Sequence, residues 1–147
     1  MNTKQYDSLA DDLKPDSKIM VHIGKAFLFG GIIGAIGQGF LDIYRMLYNC
    51  SEKEATPMMI LTMVLIAVLL TGFGVYDKIA SHAGAGTFIP ITGFANSIAS
   101  SAIESRSEGL VTGVGANIFK LGGAVITFGI VATFVLGGIR YVINYFW

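Results

Sequence analysis

AGAGTFIPITGFANSIASS, residues 83–101, lies inside a run of 25 residues (79–103) that contains no Asp, Glu, Lys or Arg. About 20 predominantly apolar residues suffice to cross a bilayer, so the run is long enough to do so. Its content is wrong for a span that meets only lipid. Gly84, Gly86, Pro90 and Gly93 interrupt any helix, while Thr87, Thr92, Asn96, Ser97, Ser100 and Ser101 bring polar side chains into it. Pro90 lacks an N–H and disfavours helix at Ile89, and Gly93 loosens the next turn. Unwound backbone at membrane depth persists only where protein buries it or water reaches it. The stretch therefore predicts a discontinuous helical element that faces protein or a watery cavity. It either re-enters on one side or forms a fourth crossing.

Three further charge-free gaps occupy residues 26–41, 55–76 and 121–139. Of 147 residues, 53% are hydrophobic and 14% charged, against about 25% charged in an ordinary soluble domain. The pattern is that of an all-α integral membrane protein. Full spans are predicted near residues 19–44, 57–76 and 117–143, with the broken element near 83–105, giving a membrane domain over 19–147. Residues 1–18, MNTKQYDSLADDLKPDSK, read as a polar tail without the apolar h-region or small-residue cleavage site of a signal peptide.

Orientation follows from the basic residues. If the broken element re-enters, Lys4, Lys14, Lys18, Lys25, Lys78, Arg106 and Lys120 share one side, and Arg45, Lys53 and Arg140 the other. If it crosses, the split is six against four. Either way the positive-inside rule places the N-terminus in the cytoplasm.

The first span carries Gly30, Gly31, Gly34, Gly37 and Gly39, with Gln38 one turn beyond the Gly30–Gly34 pair. Small residues let helices approach in lipid, and a buried amide seeks a partner. The glycines fit helix packing, and Gln38 is a candidate for the substrate path. Pro57 is expected in the first turn of the second span, where proline is tolerated. That span, MMILTMVLIAVLLTGFGVY, is the cleanest and is expected to face lipid. The last ends in Tyr141, Tyr145, Phe146 and Trp147 around Arg140, an interfacial anchor. Phe27, Gly30, Gly31 and Gly37 recur as Phe119, Gly122, Gly123 and Gly129, an echo on which nothing is built.

A helix restarting at Gly93, with Thr92 a plausible N-cap, places Asn96, Ser97, Ser100, Ser101, Glu104, Ser107 and Glu108 within about 140° of arc at 100° per residue. Such a stripe, with Thr87, Thr92 and Gly93 at its start, could line a conduit. The alternative is packing glue satisfied by neighbouring helices. The restarted N-terminus favours an anion, and Arg106 and Lys120 are the cations placed to reinforce it. Lys120 alternatively marks only the start of the last span. Asp42 and Asp77 flank spans near the interfaces, and no central run of acids suits a proton relay. This describes a passive path.

Other functions find no support. Net charge is zero, with 10 basic and 10 acidic residues, and no basic face suggests nucleic acid. Cys50 is the single cysteine, and His22 and His82 stand 60 residues apart, so no metal or cofactor constellation is visible. No nucleophile or metal motif points to catalysis.

The strings KAFLFGGIIGAIGQG, LLTGFGVYDKI, AGAG with PITGFANSIAS, SEGL, NIFKLGG and GGIRY, in order from Lys25 to Tyr141, resemble the stage V sporulation protein A membrane proteins of spore-forming bacteria. The polar tail, the Tyr76–Asp77 pair and the SEG and FKLGG strings resemble its AC type. The resemblance implies a subunit of a multi-subunit complex in the forespore membrane, later the inner spore membrane. That complex moves dipicolinic acid with calcium into the spore and out at germination, and the AC-type subunit is expected to supply its channel, with tension as a candidate gate. A non-conducting subunit that assembles or anchors the complex is the alternative. The resemblance carries no residue-level substrate contacts, so the candidate path rests on the physical reading alone.

Overall fold

A computed structural model describes residues 19–146; the tail 1–18 and Trp147 lie outside the described residues. The chain is all helical there. Helix α1 covers Ile19–Tyr48, α2 Glu52–Gly72, α3 Tyr76–Ala83, α4 Ala85–Phe88, α5 Ile91–Glu104 and α6 Ala116–Phe146. A 3₁₀ turn (Ser105–Glu108) and a π-helical turn (Leu110–Gly115) join α5 to α6. Three segments are long and apolar enough to cross a membrane: Ile19–Tyr48, Glu52–Gly72 and Leu110–Phe146.

α1 and α2 form a helical hairpin through a short turn in which Asn49 takes a positive φ of 47°. α2 opens with a capping box: the Ser51 N–H and Oγ both donate to the Glu54 carboxylate, at 2.9 and 2.8 Å. This cap starts the helix at Glu52, so Pro57 falls inside it and does not open it. Further along, the hydroxyl of Thr62 donates to the Met58 carbonyl (2.9 Å) and accepts from Tyr44 of α1 (2.6 Å).

The second span is the hub of the fold, contrary to the expectation that it faces lipid. Ala55, Met63, Ala67 and Thr71 form a buried face along it, and α5 packs on that face. Ala67, Tyr76, Ala80 and Ala95 make the core cluster, with Val64 and Leu70 packed against it. The alanines among them let the helices lie close together, and in lipid close approach rather than apolarity stabilises packing.

Residues 79–103 are not one straight helix. Gly84 (φ 54°, ψ −128°) separates α3 from the single turn of α4, and Pro90 (φ −64°, ψ 162°) separates α4 from α5. At 1.5 Å per residue the 14 residues of α5 span about 21 Å, short of the ~30 Å hydrocarbon core. Pro90, not Thr92, occupies the N-cap position of α5, with an extended backbone (ψ 162°), so the helix starts two residues earlier than expected.

α6 stands apart. None of its residues is buried, and a Cβ at Gly122, Gly123 or Gly129 would meet nothing within 4 Å. Two of the glycines they echo differ: a Cβ on Gly30 would lie 3.6 Å from Gly86 and one on Gly37 3.7 Å from Met59. The echo is thus not reproduced in packing.

Candidate functional site

The broken segment is tied to the bundle by two buried polar knots. In the first, the Tyr76 hydroxyl lies 2.9 Å from the Thr87 carbonyl and 3.1 Å from Thr92 Oγ1. A carbonyl only accepts, so the phenol proton points to Thr87 and the Thr92 hydroxyl donates to the phenol oxygen. Thr87 is fully buried, and its own hydroxyl donates to the Gly84 carbonyl at 3.0 Å. Both breaks in the segment, at Gly84 and at Pro90, are therefore bracketed by one hydrogen-bonded cluster.

In the second knot, Thr71 Oγ1 is 2.7 Å from the Ala67 carbonyl and 2.7 Å from the Asn96 amide oxygen. One hydroxyl proton cannot serve both acceptors. Turning the amide so that Nδ2 donates to Thr71, while Thr71 donates to Ala67, satisfies the set. Asn96 is 7% exposed, and in a low-dielectric interior such a pair is costly to break. Among the described residues no buried side-chain N or O lacks a partner.

Glycines set the spacing. A Cβ on Gly86 would collide with the Ala26 carbonyl of α1, and one on Gly93 would strike the carbonyl oxygens of Thr87 and Phe88. Close backbone approach, not a loosened turn, is thus what requires Gly93. The linker to α6 is folded in the same way: Gly113 packs on the Ser105 carbonyl, and Asn117 Nδ2 donates to Ser105 Oγ (2.7 Å) and to the Gly113 carbonyl (3.1 Å).

The other sequence candidates distribute as follows. Ser97, Ser100 and Ser101 are half-buried on α5, and Ser97 donates to the Phe94 carbonyl at 2.8 Å. The helix ends at Glu104, so Ser107 and Glu108 leave the stripe in the 3₁₀ turn. Gln38 is exposed on α1, where Nε2 donates to Asp42 Oδ1 at 3.0 Å. Arg106 is exposed in the 3₁₀ turn and Lys120 on α6. The structure thus gathers Thr87, Thr92, Gly93 and Asn96 at the breaks and leaves Gln38, Arg106 and Lys120 outside the knots. Tyr76 and Thr71 were missed as members of this site. A lone tyrosine or threonine at the end of an apolar run carries no sequence signal beyond interfacial preference.

Both histidines line one cavity of about 480 Å³, with Lys25, between the start of α1 and the α3–α4 turn. Their separation in sequence hid this. Among the described residues no group of three or more His, Cys, Asp and Glu side chains could hold a metal ion.

Three apolar helices, the last of them unburied, and a broken helical element held by buried hydroxyl and amide bonds define a small multi-pass membrane protein. The chain belongs to the SpoVAC/SpoVAEB sporulation membrane protein family, whose model matches residues 22–139. It is 49% identical over 138 residues to Stage V sporulation protein AC of Bacillus subtilis (strain 168), covering 94% of this chain and 92% of that one. No solved structure matches.

Proposed function

We propose that this chain is a channel-forming subunit of a sporulation membrane complex, and that the complex carries dipicolinate with calcium across the forespore membrane and later the inner spore membrane. The carrying observation is the broken element itself. Its knots fix Thr87, Thr92 and Asn96 toward the bundle, leaving the half-buried hydroxyls of Ser97, Ser100 and Ser101 on α5 beside them. Weak, replaceable hydroxyl contacts hydrate a small dicarboxylate without holding it, as conduction requires. A path between subunits fits these half-buried hydroxyls and a terminal helix, α6, none of whose residues is buried. The N-terminus is on the cytoplasmic side, and Arg106 and Lys120 raise the local concentration of the anion.

Burial of Asn96 against Thr71 favours the second reading at that one position: there the amide acts as glue, as a structural, non-conducting subunit would use it. Cysteine accessibility in the assembled complex separates the two. Single cysteines at 97, 100 and 101, in a Cys50→Ser background, are expected to react with a water-soluble thiol reagent, and one at 96 is not. Protection at all four positions, with dipicolinate movement intact, would leave the chain a scaffold.

A further inference from the structure

We propose that the groove between the first half of α1 and the α3–α4 turn binds one anionic phospholipid, with its phosphate at His22, Lys25 and His82 and an acyl chain along the glycine-floored stretch beyond. Two adjoining cavities of about 480 and 520 Å³ make the groove. Both are lined by Ile23, Ala26 and Ala85, which makes the groove continuous. Among the described residues the first has two histidines and a lysine on its walls and no acidic side chain. The second has no ionisable side chain among the described residues and is walled by Phe27, Ile89 and Pro90 over Gly30, Gly31 and Gly86.

Polarity therefore changes in one direction along α1, cationic at residues 22–25 and apolar at 27–31. The helix register places that change at the edge of the membrane. Gly37 packs at Met59; thirteen residues on from Met59, α2 ends at Gly72, and thirteen residues back along the antiparallel α1 is Gly24. The cationic end thus lies where the neighbouring span leaves the hydrocarbon, at phosphate depth, and the apolar end lies inside. A phospholipid has the same order of chemistry along its length, whereas a free anion matches only the outer half.

The local geometry suits a phosphate oxygen. His82 Nδ1 lies 2.8 Å from the Lys78 carbonyl. A carbonyl accepts only, so Nδ1 carries the proton; Nε2, at the free end of the fixed ring, accepts in the neutral imidazole and donates to a phosphate oxygen only in the imidazolium. Lys25 supplies the permanent charge, and basic pockets at this depth select anionic headgroups. The glycines on the floor let a hydrocarbon chain lie against backbone, where any side chain would fill the groove.

The test uses the full-length chain in neutral detergent, with dioleoylphosphatidylglycerol and dioleoylphosphatidylcholine titrated separately by native mass spectrometry. The glycerol headgroup lipid is expected to bind about tenfold more tightly, as one to two surface cations supply. Lys25→Gln and His82→Gln should each bring the two lipids toward equal affinity; both side chains are exposed, and thermal unfolding checks the fold. Gly31→Leu, whose Cβ meets nothing within 4 Å, should weaken both lipids by blocking the chain. Equal binding of the two lipids by the unmodified chain overturns the proposal. So does a loss of selectivity in Lys53→Gln, at the far end of α1–α2, equal to that in Lys25→Gln. Displacement of the lipid by millimolar inorganic phosphate, together with indifference to Gly31→Leu, would assign the groove to a free anion instead.

Discussion

Gly86→Ala tests the packing that holds the broken segment against the first span. An added Cβ would sit 2.9 Å from the Gly30 nitrogen and 3.0 Å from the Ala26 carbonyl carbon, and closer still to the Ala26 oxygen. All three atoms are backbone, so no rotamer change relieves them. Restoring a carbon contact of about 3.5 Å requires α4 to retreat from α1 by roughly half an ångström to one ångström. Overpacking of this kind costs about 1–3 kcal/mol. The retreat also carries Thr87, whose carbonyl takes the Tyr76 proton at 2.9 Å, and a weakened bond there adds up to about 1 kcal/mol. The expected loss is therefore about 2–4 kcal/mol. Gly34→Ala is the matched control, since its Cβ meets nothing within 4 Å and helix propensity favours alanine by up to about 1 kcal/mol. Unfolding by sodium dodecyl sulfate titration in mixed micelles, followed by far-ultraviolet circular dichroism, measures both. If the two variants differ by less than about 0.5 kcal/mol, the α1–α4 approach does not hold the segment and the reasoning fails.

Thr71→Val and Asn96→Leu should each destabilise by about 1–3 kcal/mol, and their double-mutant cycle should show a coupling of about 0.6–1.7 kcal/mol, the range for buried interhelical bonds; zero coupling in the same titration would mean the two side chains do not meet. Tyr76→Phe removes the proton held by the Thr87 carbonyl and should lower stability by about 1–3 kcal/mol while increasing amide exchange in residues 84–93. Ser51→Ala deletes one side of the capping box and should cost about 0.5–2 kcal/mol, read by the same denaturant titration. In complexes reconstituted with partner subunits, Lys120→Glu should slow dipicolinate flux at low ionic strength and Lys120→Arg should leave it unchanged, because steering needs charge and not a guanidinium fork; equal flux in all three would make Lys120 an anchor only.

Four charge-free stretches were enough to establish a helical membrane protein with three spans, and Pro90 was enough to place a break in the fourth stretch. Those features are one-dimensional: hydropathy reports the solvent a segment occupies, and a missing N–H acts where it stands. The order of strings from Lys25 to Tyr141 carried the family for the same reason. Which face of each helix turns inward was not legible. In water a buried face is more apolar than an exposed one, but in lipid both are apolar and the amphipathic signal vanishes. That is why the cleanest span, α2, read as lipid-facing although Ala55, Met63, Ala67 and Thr71 make it the hub. The polar partners were hidden for a related reason. Asn96 meets Thr71 across 25 residues and Tyr76 meets Thr92 across 16, while His22 and His82 come to one groove from 60 residues apart. The breaks at Gly84 and Pro90 and the close approaches at Gly86 and Gly93 bring those side chains together, because the geometry of backbone contact, not composition, decides which hydroxyl finds which amide.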